Sequence, residues 1–199
     1  MVGGGGAAGL EFMEETVPFG SREYWILAAA LLFGRGMDFL STWVATPNLI
    51  LEANPIARKL GWKWGIPVNL ALCGGFAFWP LAAIIITTTS LLVAARNFQG
   101  AWLMRHLGEC QYSQQMAGHL KEVSLPVYLV CLLGQTAPVA LVGVVLVFMS
   151  GFEVLPVGIG IGLVSYAGAV VFYSLLSLWR IRRAPRYSSA EDYVQTDTR

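Results

Sequence analysis

Apolar residues gather into four long runs, at about residues 24–44, 66–95, 125–149 and 157–178, separated by shorter polar stretches. About 20 residues suffice to cross a hydrocarbon core roughly 30 Å thick, so each run is long enough to be a membrane-spanning helix. None shows the alternation of a barrel strand, and an open sheet cannot satisfy its backbone in lipid. The pattern therefore predicts an all-α, polytopic membrane protein with four transmembrane helices. The second run is the odd one. At 1.5 Å per residue it would reach about 45 Å, and Pro80, near its middle, removes one helical hydrogen bond, so a kink is expected there.

Composition agrees with this class. Of the 199 residues 56% are apolar and 13% charged, and the mean hydropathy is +0.60; soluble domains carry about 25% charged residues. With four spans, the segments at 1–22, 96–123 and beyond 178 share one side. They hold Arg22, Arg96, Arg105, Lys121, Arg180, Arg182, Arg183 and Arg186, against Arg58, Lys59 and Lys63 on the other. The positive-inside rule then puts both termini in the cytoplasm, across a cell inner membrane. Residues 1–22 are expected to be a flexible tail, with Gly3 to Gly6 followed by Glu11, Glu14 and Glu15. They have no basic n-region or apolar h-region of a signal peptide. Residues 181–199 are expected to be a disordered polar tail, and 23–180 to be the membrane domain. A net charge of +1 without a basic patch argues against a nucleic-acid partner; the expected partners are the lipid bilayer and other membrane-protein chains.

Charge inside the first run asks for an explanation. Arg35 and Asp38 lie where a charged group costs about 2.5–3.5 kcal/mol, so they are expected to face protein or water. On a helix Arg35, Asp38 and Thr42 share one face. Asp38 is followed 14 residues on by Glu52-Ala53-Asn54-Pro55 and then by Arg58 and Lys59. Asn54-Pro55 has the form of a helix start, Asn as N-cap and Pro at the first helical position. A short interfacial helix from Pro55 to about Leu60 should follow, with Trp62 and Trp64 at headgroup level. Folded back, this segment could set Glu52 beside Asp38 or Arg35.

Two readings of that cluster stay open. In one, Arg35 and Asp38 neutralise each other, Asp38 bonds Thr42, and Glu52 caps the helix or pairs with Arg58. In the other, Asp38 and Glu52 bind a cation, relay protons or act as acid and base. The order Asp38…Thr42, then Glu52-x-Asn54-Pro55, resembles a family of small multi-pass prokaryotic membrane proteins of unknown function. The resemblance covers about 20 residues. It implies that Asp38, Thr42, Glu52, Asn54 and Pro55 form a unit, while Arg35 and the long 96–123 loop fall outside the pattern; it carries no activity.

Two weaker constellations complete the inventory. His106, Glu109 and Cys110 stand at i, i+3 and i+4, with His119 nine residues further on. All are competent zinc or iron ligands, although no recognised metal motif has this spacing. The competing expectation is an interfacial helix that continues the second span. In the fourth run Gly158 and Gly162 have GxxxG spacing, suited to close packing inside the bundle or against another chain. Gly160 and Gly168 extend that small-residue face. Nucleotide-binding and nucleophile-elbow motifs are absent, and no cofactor is indicated. The function expected is a non-catalytic accessory or assembly subunit of a membrane complex. The alternatives are a small transporter or ion pathway through Asp38 and Glu52, or an intramembrane carboxylate enzyme.

Overall fold

A computed structural model describes residues 16–52 and 54–183. The described residues are all-α, with six helices: α1 (Arg22–Ala45), α2 (Pro55–Phe76), α3 (Pro80–Leu107), α4 (Glu109–Glu122), α5 (Leu125–Met149) and α6 (Val154–Arg183). Three of them, α3, α5 and α6, are long and apolar enough to cross a membrane. The expected four spanning helices are therefore not confirmed. In α1 the charges of Arg35 and Asp38 lower the hydropathy of the 24-residue helix, and α2 spends its first turns on Arg58, Lys59 and Lys63.

The largest departure lies in the second apolar run, which is two helices and not one kinked helix. α2 stops at Phe76 and α3 starts at Pro80. Proline bars the residue before it from helical backbone, and Trp79 accordingly sits at φ −115°, ψ 101°. Pro80 itself costs nothing at the first helical position, where its missing N–H would have had no partner. The chain reverses across Ala77–Trp79. It is held there by the Val17 N–H, which donates to the Phe78 carbonyl at 2.9 Å, and by Phe19 stacked on Phe78 with ring centroids 6.2 Å apart. Residues 17–21 are thus ordered, where a flexible tail was expected to reach residue 22. At the other end α6 continues to Arg183, past the expected start of a disordered tail at 181. The remainder of both expected tails lies outside the described residues.

Pairwise contacts fix the helix directions. α1 and α2 are antiparallel: the Tyr24 hydroxyl donates to the Gly74 carbonyl at 3.2 Å, and the Trp62 indole N–H donates to the Pro47 carbonyl at 2.8 Å. α1 and α3 are parallel, touching through Gly34 and Thr87, Ser41 and Asn97, and Trp43 and Arg105. α6 is parallel to α3, with Gly158 against Ile84 and Gly162 against Thr88, and α5 is antiparallel to α6 through Gly143 and Gly160. One end of the bundle therefore holds residues 17–21, 77–79 and 150–153, the Phe19 end. The other holds 46–52, Asn54, α4 and the close of α6, the Glu109 end. The extra reversal at Ala77–Trp79 sets the start of α1 and the close of α6 at opposite ends, in place of the expected same-side arrangement.

Small residues decide how closely these helices approach. A Cβ on Gly143 would fall 2.6 Å from the Gly160 carbonyl oxygen, and a Cβ on Gly160 would meet the Gly143 oxygen at the same distance. Gly158 and Gly162 are spent in the same way against α3. Gly168, by contrast, has no neighbour within 4 Å of where a Cβ would stand and does not belong to that face.

Candidate functional site

The α1 charges meet α2 and α3 at one point. Ser21 starts α1 by accepting from the Tyr24 N–H at 3.1 Å, and the resulting helix turns Arg35 and Asp38 toward its neighbours. Arg35 Nη1 donates to Asp38 Oδ2 at 2.7 Å, within one helix turn. Its Nε and Nη2 both donate to Asn69 Oδ1 on α2, at 2.8 and 2.6 Å. Nη1 also reaches the Ser90 hydroxyl on α3 at 3.3 Å. Asn69 in turn donates through Nδ2 to the Gly65 carbonyl at 2.8 Å, which aims its oxygen at the guanidinium. One arginine thus ties three helices together, and four of its five N–H groups are occupied by the protein's own acceptors.

Thr42 is placed differently from the expectation. Its hydroxyl accepts from Asn97 Nδ2 at 3.4 Å and has no bond to Asp38. Ser41 is fully buried; it donates to the Asp38 backbone carbonyl at 2.8 Å and accepts from Asn97 at 3.2 Å. Glu52 bonds the Asn54 N–H at 2.8 Å. No hydrogen bond joins the Glu52 and Asp38 carboxylates among the described residues. Arg58 is exposed on α2 and makes no ion pair with Glu52 there. The expected helix start does form: Asn54 accepts from the Ile56 N–H at 3.0 Å, with Pro55 at the first helical position. The short helix ends where expected, because Gly61 at φ 59°, ψ −169° breaks the helical path, a backbone state open to glycine and closed to most side chains.

Beside Arg35 a side-opening groove of about 580 Å³ runs between α1 and α2. Leu32, Phe39, Leu40, Trp43, Trp62 and Ile66 form its apolar walls, and Arg35 and Asn69 its polar floor. Gly36 also lines it, with open space where a Cβ would stand. The Arg105 guanidinium lies over the Trp43 ring at 5.6 Å, at the Glu109 end of the groove.

The expected metal ligands do not assemble. Among the described residues no three His, Cys, Asp or Glu side chains converge where they could hold a metal ion. Gly108, at φ 79°, separates α3 from α4, so His106 and Glu109 are not on one continuous helix face. His106, Cys110 and His119 are exposed. Glu109 is nearly covered and serves another purpose. Its carboxylate accepts from Thr46 Oγ1 at 2.8 Å, from the Asn48 N–H at 2.9 Å, from Asn48 Nδ2 at 3.1 Å and from the Ile50 N–H at 3.1 Å. Burial alone would raise its pKa; the hydrogen bonds from Asn48, Thr46 and Ile50 outweigh it and hold the carboxyl below its ordinary value. Glu109 is a latch on the 46–50 turn.

Sequence reasoning missed Asn69, Ser90, Asn97 and this role of Glu109. A signal was present for the first, since Asn69 is the one strongly polar residue between Ile66 and Phe76.

No family model, curated protein or solved structure matches this chain. The resemblance of the Asp38–Pro55 segment therefore rests on its own residues.

Proposed function

We propose that the chain is a five-pass integral membrane protein that works as a non-catalytic accessory or assembly subunit of a membrane complex. The observation that carries this reading is the Arg35 clip. Its donors go to Asp38, Asn69 and Ser90, which leaves a neutral, internally satisfied joint in place of a free acid and base. A transport or acid–base role would ask Asp38 and Glu52 to share a proton or a cation, whereas Glu52 bonds the Asn54 backbone. With Gly158 and Gly162 taken up against α3, one apolar surface left for another chain is the outer side of α5, where Val130, Leu133, Leu141 and Phe148 are exposed.

The fifth pass comes from α1 and α2, whose antiparallel pairing runs beside α3. An Arg–Asp pair facing protein removes most of the cost that single charges carry in lipid. Five passes also resolve the charge distribution. Arg58, Lys59, Lys63, Arg105, Lys121, Arg180, Arg182 and Arg183 all fall at the Glu109 end, against Arg22 alone at the Phe19 end among the described residues. The positive-inside rule then assigns the Glu109 end to the cytoplasm and the start of α1 to the opposite side.

Gentle extraction with intact-mass measurement tests the subunit reading. Recovery in a stoichiometric complex, undisturbed by Asp38→Asn or Glu52→Gln, is expected. Recovery alone, with function lost in either variant, refutes it. An impermeant maleimide tests orientation, using Ser21→Cys at one end and the exposed native Cys110 at the other. Labelling from outside at Ser21→Cys, with Cys110 protected, is expected.

A further inference from the structure

We propose that the groove between α1 and α2 holds an acyl chain of an anionic phospholipid from the cytoplasmic leaflet, with its phosphate among the basic residues at the Glu109 end. The inference rests on the orientation argued above and adds a ligand to it.

Size and length fit an acyl chain. The groove, about 580 Å³, lies within the roughly 300–1,000 Å³ of ligand sites. It runs from Leu32 near the middle of α1 to Trp43 and Pro47 at its end. Leu32 to Trp43 measures about 16 Å along the helix, close to the roughly 15 Å of half a hydrocarbon core. Its opening faces sideways, between two helices that meet chiefly at Tyr24, Arg35, Phe39 and Trp62. A chain can therefore enter from the bilayer.

Charge selects the headgroup. Arg105 stands over Trp43 at the groove mouth. Lys63 follows Trp62 of the groove wall, Lys59 lies across the Gly61 break, and both are exposed, as is Arg58. None of these cations has an ion pair among the described residues. Four unpaired cations at the wet end of an apolar slot match an anionic phosphate ester and offer a zwitterionic headgroup nothing extra. Gly36 keeps the slot open, since any side chain there would project into it.

The experiment uses the full chain in symmetric vesicles of phosphatidylcholine, doped with either phosphatidylglycerol or phosphatidylcholine that carries a photoactivatable acyl chain. Cross-linked peptides are then mapped by mass spectrometry. The phosphatidylglycerol probe is expected to mark 32–43 and 62–70 above all other segments. Gly36→Phe, by displacing about two methylenes of the chain, should cut that yield about tenfold. The combined Lys59→Gln, Lys63→Gln and Arg105→Gln variant changes exposed residues only and keeps the fold. Each lost cation should lower phosphatidylglycerol capture about fivefold, toward the phosphatidylcholine level. Equal capture of the two probes by the unaltered protein, or cross-links spread evenly over α5 and α6, overturns the proposal. So does a groove shielded from lipid by a co-extracted chain. Both leaflets carry the probe, so failure of the orientation would appear in the maleimide labelling while capture in the groove persisted.

Discussion

If Arg35 is a structural clip, its removal and the removal of its partner must be strongly non-additive. Arg35→Leu strips Asp38 of the one cation it pairs with among the described residues and leaves the Asn69 oxygen without two donors now at 2.6 and 2.8 Å. The Asp38 side chain is 16% exposed. Breaking a buried pair from one side costs about 3–5 kcal/mol, so the single variant should lose that much. Asp38→Leu is milder, because the guanidinium keeps Asn69 and Ser90; the loss of one charge-assisted bond is about 1.5–3 kcal/mol. In the double variant no charge remains, and apolar replacements of similar volume are often neutral to stabilising. Its cost should lie below that of Arg35→Leu alone, which makes the coupling at least about 1.5 kcal/mol, within the range of contacting pairs. Reversible unfolding in mixed detergent–dodecyl sulfate micelles, followed by circular dichroism, measures all four corners of the cycle. Losses that add to within about 0.5 kcal/mol would refute the reasoning and return Arg35 and Asp38 to independent, water-facing roles.

Other expectations follow from the same structure. Glu109→Gln should free the 46–50 turn: faster hydrogen exchange at the Asn48 and Ile50 amides is expected, with a stability loss toward the low end of about 1.5–3 kcal/mol, since the carboxylate lies at the edge of the molecule. The Glu109 carboxyl is lowered in the folded state, so its contribution is full above its ordinary pKa of about 4.3 and is lost as the pH falls through the lowered value. Acid protection loss at those two amides should therefore be absent from Glu109→Gln. Gly160→Val would drive a side chain into the Gly143 carbonyl and should cost about 3 kcal/mol or more in thermal stability. Gly168→Val, with open space at the same atom, should cost about 1 kcal/mol or less; equal losses would show that the α5–α6 crossing is not set by backbone contact.

Much of the helical outline was legible because it rests on local chemistry. The α5 run at Leu125–Met149, the Asn54-Pro55 start and the stop before Trp62 all follow from apolar length, a side-chain cap and a glycine. Pro80 signals a disturbance correctly, but the expected kink is a full reversal. Hydropathy alone does not separate a bent helix from a hairpin, and the outcome turns on tertiary contacts from Val17 and Phe19. That single difference sets the start of α1 and the close of α6 at opposite ends of the bundle. The partners of Arg35 were hidden for a similar reason, since Asn69 and Ser90 lie 34 and 55 residues away in sequence. Glu109 has the look of a ligand only while its spacing implies one helix face, and the positive φ of Gly108 breaks that face.

The parallel course of α1, α3 and α6 has a consequence for helix dipoles. Three helices packed in the same sense add their macrodipoles, and their carbonyl ends gather at the Glu109 end with about half a negative charge each. Arg105 in the last turn of α3, and Arg180, Arg182 and Arg183 in the last turn of α6, stand where that field is strongest. Arg182 also serves α4, donating through Nη2 to the Val123 carbonyl at 2.7 Å and through Nε to the Leu120 carbonyl at 3.4 Å, both at the close of that helix. The same arginines offset the electrostatic cost of packing α1, α3 and α6 in one sense. Neutralising them would loosen the bundle from within.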